Sequence, residues 1–166
     1  CNPTGSVYTR DELHALAQVF SQYPQISIVS DEIYELINFE GRHLSIASFP
    51  EIKEQVIVVN GVSKGFAMTG WRLGYCAATR EIAAACDKIQ GQVTSGTCSI
   101  SQQAAIAAVM SDPAHSAEVK SMVDTFKTRR DLMLSLMADI PGLRTNIPQG
   151  AFYIFPDVTE YYGKTP

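Results

Sequence analysis

Val56-Ile57-Val58-Val59 is a run of β-branched residues with no polar break. A strand with one face in water alternates apolar and polar side chains, so an unbroken apolar run suits a strand covered on both faces, as in a parallel sheet. Two further strands fit beside it. Ile26-Ser27-Ile28-Val29-Ser30 is a short β-branched run, and Leu73-Gly74-Tyr75-Cys76-Ala77-Ala78 is a third, richer in small residues.

Helical patterns lie between and after these runs. Thr9-Arg10-Asp11-Glu12 reads as a capping box opening a helix with Leu13, Leu16, Ala17 and Phe20 on one face, ended by Tyr23-Pro24. Ile82, Ala85, Cys86 and Ile89 share a face, and Ser101 to Met110 is rich in alanine. From about Pro113 to Met137, Val119, Met122, Val123, Phe126, Met133, Leu134 and Met137 recur at helical spacing. Pro141-Gly142 stops that pattern, and Ala151-Phe152-Tyr153-Ile154-Phe155 reads as a new strand. Alternating strands and helices predict an α/β fold, with helices packed on a mostly parallel sheet. The long helix followed by a new strand predicts a division. Residues 1–114 belong to part of a large domain, and 115–166 form an interdomain helix and the start of a smaller α/β C-terminal domain.

Composition narrows the class. The 166 residues are 46% hydrophobic and 18% charged, an ordinary globular balance. A formal charge of −4 gives no reason to expect nucleic acid or an anionic membrane as partner. No apolar run approaches the roughly 18 residues a bilayer span needs. Cys1, Cys76, Cys86 and Cys98 form no C-x-x-C pair, which predicts buried, packed thiols in a reducing cytoplasm rather than a metal or disulfide framework. The chain starts without Met on a turn sequence and stops at Lys-Thr-Pro, so it is expected to be a piece of a longer protein.

Polar groups cluster where the predicted strands end, and in open α/β sheets ligands bind at the carboxyl ends of strands. The first strand delivers Asp31 and Tyr34. The second delivers Ser63 and Lys64 through Asn60-Gly61-Val62, and Arg72 stands just before the third. Singly, each has an ordinary reading: an exposed loop lysine, a capping carboxylate, a tyrosine packed on the sheet, a turn serine, an arginine stacked on Trp71, a turn asparagine at Asn2. Together they offer an amine, a carboxylate, a phenol, a hydroxyl and a guanidinium. That set matches what pyridoxal 5'-phosphate (PLP) asks of a protein. His14, His43 and His115 have no ligand spacing and read as solvated or partly packed. No G-x-G-x-x-G follows a strand, and Gly61-Val62-Ser63-Lys64-Gly65 is not a nucleotide-cradling loop.

Asn2-Pro3-Thr4-Gly5, Asp31-Glu32-Ile33-Tyr34, and Val62-Ser63-Lys64-Gly65-Phe66 running into Met68-Thr69-Gly70-Trp71-Arg72-Leu73-Gly74-Tyr75 resemble the class I/II aminotransferases of PLP fold type I. Ser101-Gln102 and Pro148-Gln149-Gly150-Ala151-Phe152-Tyr153 extend the resemblance over essentially the whole chain. It implies that Lys64 forms the Schiff base and shuttles the substrate's α-proton, while Asp31 keeps the pyridine nitrogen protonated. It also implies that Tyr34 and Asn2 hydrogen-bond the phenolate oxygen, and that Ser63 and Arg72 bind the phosphate. Gly61 departs from relatives that carry a further phosphate-binding hydroxyl three residues before the lysine. The ring-stacking aromatic would lie upstream of residue 1, and the arginine for the substrate α-carboxylate beyond residue 166.

The wording around Lys64 is similar to bacterial aspartate aminotransferases, which implies aspartate and 2-oxoglutarate as substrates and a homodimer in the intact protein. Two other functions use the same residues. One is a different PLP reaction, such as β-elimination or synthesis of a cyclic amino acid; the other is a PLP-sensing domain of a transcription regulator.

Overall fold

A computed structural model describes residues 2–113 and 115–163. The expected α/β arrangement is present. Strands β1 (Ile28–Asp31), β2 (Val56–Gly61) and β3 (Gly74–Ala77) form one sheet in that order. Helices α1 (Arg10–Phe20), α2 (Arg80–Val93), α3 (Ser99–Met110) and α4 (Ala117–Ala138) alternate with and follow them.

Helix α1 begins where the sequence places it, for a local reason. The Thr9 hydroxyl accepts from the Glu12 amide at 3.3 Å, and the Glu12 carboxylate accepts from the Thr9 amide at 2.7 Å. Two otherwise unpaired donors of the first turn are thereby satisfied. The apolar face of α1 then meets two short 3-10 turns, Ile46–Ser48 and Pro50–Gln55. Leu13, Ala17, Ile46, Phe49, Ile52 and Val56 form this core, with Ile28 and Val58 of the sheet packed against it.

The sheet is mixed. β1 and β2 pair in parallel, Ile28 opposite Val56 and Asp31 opposite Val59. β2 and β3 pair antiparallel, Asn60 opposite Tyr75 and Gly61 opposite Gly74. The β1–β2 connection is long enough for a parallel crossover, whereas residues 62–73 fold back and return the chain in the opposite direction. Nor is the apolar run of β2 enclosed on both faces. The face carrying Ile28, Val56 and Val58 lies under α1 and the 3-10 turns. On the other face Val29 and Val59 remain 66% and 37% exposed.

Two further expectations are corrected. Cys76, Cys86 and Cys98 are free but exposed, not buried: β3 is exposed along its length, α2 buries none of its residues, and Cys98 stands at the start of α3. Cys1 lies outside the described residues. Ala151–Phe155 is not a strand: Ala151 adopts a left-handed backbone (φ 58°), which breaks extension. Only isolated bridges, Asn38 with Gly150 and Arg144 with Asp157, remain there. The long helix does form, and the Ser116 hydroxyl caps it by accepting from the Val119 amide at 3.3 Å. Its Met122 and Phe126 pack on a second core of Tyr34, Ile37 and Ala151.

Candidate active site

Sheet topology decides which residues meet. Parallel pairing puts the C-terminal ends of β1 and β2 on one side, and antiparallel pairing starts β3 at that same end. Asp31 closes β1, and Tyr34 follows in the next turn. Ser63 and Lys64 leave β2, and Arg72 precedes β3. Five of the six residues singled out from sequence therefore issue from one end of the sheet.

The turn after β1 is built by its own polar groups. The Asp31 carboxylate accepts from the Ile33 amide at 3.2 Å, closing an Asx-type turn. The Glu32 amide extends the ladder by donating to the Val59 carbonyl at 2.8 Å. Tyr34 is then buried, in T-shaped contact with Phe152 (centroids 5.4 Å apart).

Lys64 is half-buried. Its Nζ lies 6.0 Å from the centroid of the Tyr34 ring and 5.4 Å from that of Phe152. An amine over two ring faces keeps electrostatic support while losing part of its water. Gly65 makes this placement possible. A Cβ there would stand 2.6 Å from Leu36 Cδ1 and 2.9 Å from Leu36 Cβ, so no larger residue fits behind the lysine. Ser63 beside it is also half-buried. Arg72 is exposed, left-handed (φ 52°), and donates through Nη1 to the Thr69 carbonyl at 2.8 Å. The departure at Gly61 has a steric cause: a Cβ would lie 2.8 Å from the Leu73 carbonyl oxygen.

A distant segment completes the crevice. Residues 148–153 are held from three sides. Gln149 and Gly150 donate their amides to the Gly5 carbonyl at 2.8 and 2.9 Å, and Ala151 donates to Ile37 at 2.8 Å. Arg130 of α4 donates to the Pro148 carbonyl at 2.8 Å. Gly5 (φ 68°) leaves no room for a Cβ, which would meet Pro148 Cβ at 2.5 Å. Asn2 is exposed in the turn that leads to Gly5. The segment delivers Phe152 over Lys64 and brings the Tyr153 hydroxyl into a hydrogen bond with that of Tyr34. Burial, then the Tyr153 hydrogen bond, then the negative charge of Asp31 push the Tyr34 phenol well above its ordinary range. Tyr34 therefore stays a protonated donor at neutral pH. Sequence reasoning quoted Tyr153 within a motif but assigned it no role, and only tertiary closure reveals its partner.

A second polar cluster lies under the Asp31–Tyr34 turn. The buried Glu32 carboxylate accepts from the hydroxyls of Ser30 (2.9 Å) and Ser45 (2.7 Å) and pairs with His43 Nε2 at 2.9 Å. Burial alone would raise the Glu32 pKa; the donors from His43, Ser45 and Ser30, with the charge of His43, outweigh it and hold the group below its ordinary value. Ligand atoms of Glu32, Glu35 and His43 lie within 4.8 Å of one another. Both Glu32 oxygens and Glu35 Oε1 already have protein donors, Asn60 serving Glu35 at 2.7 Å, so the arrangement is a hydrogen-bonded clamp. His43 is thus more than partly packed, which its sequence spacing did not signal. His14 stacks on Phe49 (5.8 Å), and His115 pairs with Asp112 at 2.6 Å.

Residues 1–164 match the family model described as aminotransferase class I and II. The chain is 47% identical over 163 residues to an aspartate aminotransferase of Pinus pinaster, covering 98% of this chain and 33% of that protein. It is 44% identical over 161 residues to an aspartate aminotransferase of Geobacillus stearothermophilus, covering 96% of this chain and 40% of that one. Among solved structures, a Thermus thermophilus aspartate aminotransferase double mutant superposes with a TM-score of 0.89 at 36% identity, over 98% of this chain and 42% of that one. An aromatic aminotransferase from Pyrococcus horikoshii gives 0.86 at 39% identity, over 94% and 41%. The chain spans about a third to two fifths of these relatives.

Proposed function

The chain belongs to the class I and II aminotransferases, and from that premise we propose that the intact protein transfers an amino group between an amino acid and a 2-oxo acid, using PLP held by this segment. The observation that carries the proposal is the Lys64 amine, half-buried over the Tyr34 and Phe152 rings at the sheet end where Asp31 and Arg72 also emerge.

The donor set fits the cofactor. Tyr34, held protonated, can donate to an anionic ring oxygen, and Asn2 supplies a second donor to that oxygen. Asp31 supplies a carboxylate for a protonated ring nitrogen. Arg72 spends one nitrogen on Thr69 and keeps further N–H groups for a phosphate, to which the Ser63 hydroxyl, from the same end of the sheet, would add a donor. PLP, when bound, supplies an electron-withdrawing ring that stabilises negative charge developing at the substrate's α-carbon. Lys64 would offer its amine to the cofactor's aldehyde and would hold or move the α-proton at Nζ. Phe152 and Tyr34 keep water from that amine.

We assign residues 1–114 to the cofactor-binding large domain and 115–166 to the interdomain helix and the start of the small domain. The uncovered sheet face at Val29 and Val59 suits burial by the remainder of a longer protein that functions as a homodimer. Among the described residues no helix is long and apolar enough to cross a membrane. The three free thiols suit a reducing compartment such as the cytoplasm. Aspartate is the amino-acid substrate favoured by the relatives' names, and we propose 2-oxoglutarate as the acceptor.

Borohydride reduction of the intact protein with PLP tests the central assignment. Label is expected on Lys64, and Lys64→Ala is expected to abolish transamination. Label on another lysine, or retained turnover, refutes it. Profiling twenty amino-acid donors tests the substrate. A preference for aromatic donors or alanine over aspartate of more than tenfold, about 1.4 kcal/mol, overturns the aspartate assignment.

A further inference from the structure

Tyr34 and Tyr153 share one hydrogen bond between two hydroxyls, and either oxygen can be the donor. Resting on the reading above, we propose that Tyr153 is a positioning residue that fixes the direction of this bond, so that Tyr34 directs its proton at the cofactor's ring oxygen. An anionic ring oxygen can only accept. Once it takes the Tyr34 proton, the Tyr34 oxygen is left as an acceptor, and Tyr153 is placed to fill it. The donor order becomes Tyr153 to Tyr34 to ring oxygen, and hydroxyls donating in series polarise one another and strengthen each bond.

The surroundings of Tyr153 are those of a fixed group. Its ring stands edge-on to Tyr34 (5.7 Å, 78°) and tilted against Phe152 (4.9 Å, 48°). Its backbone follows the segment pinned to Gly5, Ile37 and Arg130. The left-handed turn at Ala151, itself fully buried, aims the next two residues back at the sheet end. The ionisable groups around Tyr34 are Asp31, which opposes loss of its proton, Tyr153, and Lys64, whose Nζ stands 6.0 Å from its ring. A hydroxyl delivered from 119 residues away to this one partner does more than fill space.

The test uses the intact protein and Tyr153→Phe, which keeps the ring and its packing. Without cofactor, the Tyr34 phenol, identified by comparison with Tyr34→Phe in an ultraviolet titration, is expected to ionise at a different pH in Tyr153→Phe, because its hydroxyl partner is gone. With PLP bound, the pH midpoint of the cofactor's absorbance change is expected to move in the same direction as in Tyr34→Phe. It should move less far, by about half a pH unit, as a lost link in a donor chain requires. An unmoved midpoint in either titration overturns the proposal, even if Tyr153→Phe lowers thermal stability, since packing alone would do that. Absence of any PLP absorbance in the wild type would instead remove the cofactor reading. The ligand-free titration would then still report whether the two hydroxyls are coupled.

Discussion

Replacing Glu32 by alanine is expected to cost the intact protein about 3–5 kcal/mol of stability, the range for breaking a buried pair and stranding its partner. The figure follows from what the carboxylate serves: three donors, Ser30, Ser45 and His43, all within 2.9 Å, around a side chain only 5% exposed. Glu32→Gln keeps the shape and one acceptor oxygen but turns an amide toward groups that donate, so about 1–3 kcal/mol is expected there. The pH dependence has a definite sign. Glu32 has a lower pKa folded than its ordinary 4.5, so its stabilisation is fully present above that value and is lost as pH falls through the folded pKa. The difference in unfolding free energy between wild type and Glu32→Gln, read from urea denaturation at stepped pH, should be constant near neutrality and shrink below about pH 4.5. A cost under 1 kcal/mol for the alanine variant, or a difference that does not change across that window, would show that the carboxylate is not clamped in solution.

Three shorter predictions concern the crevice itself. Gly65→Ala should displace Leu36 or Lys64, lowering stability by about 1–3 kcal/mol and weakening PLP binding; normal values for both would mean that the contact relaxes freely. Asp31→Ala should lose several orders of magnitude in turnover and Asp31→Glu far less, because charge support acts in the transition state; small, equal losses would leave Asp31 as a turn former only. Ala67, exposed at φ 53°, should tolerate Ala67→Gly with a gain of about 0.5 kcal/mol in denaturant unfolding, and a loss would show that its backbone is not left-handed in solution.

Helix α1 could be read in advance because its determinants, Thr9 with Glu12 and the spacing of Leu13 and Ala17, lie within one or two turns of each other. The approximate positions of β1 and β2 were legible for the same reason, and with them the polar residues at their ends. The direction of β3 was not, since strand composition says nothing of partner orientation, which the fold of residues 62–73 decides. Phe152 and Tyr153 look like strand residues by propensity, yet their rings are spent on Tyr34 and Phe126 and their backbone on a turn at Ala151. The clamp on Glu32 escaped notice because His43 and Ser45 reach it only through the loop that follows Tyr34.

The anchoring of residues 148–153 to Gly5 and the Tyr34 turn also sets a timetable for biosynthesis. Ribosomes extend chains at about 5–20 residues per second, so roughly 6–24 s separate the addition of residue 34 from that of residue 153, 119 positions later. Throughout that interval Tyr34 lacks its hydroxyl partner, and the Gly5 carbonyl lacks the amides of Gln149 and Gly150. The nascent chain therefore holds Asp31 and Lys64 well before it can close the crevice around them, and the proposed cofactor site is complete only after the later segment has left the exit tunnel.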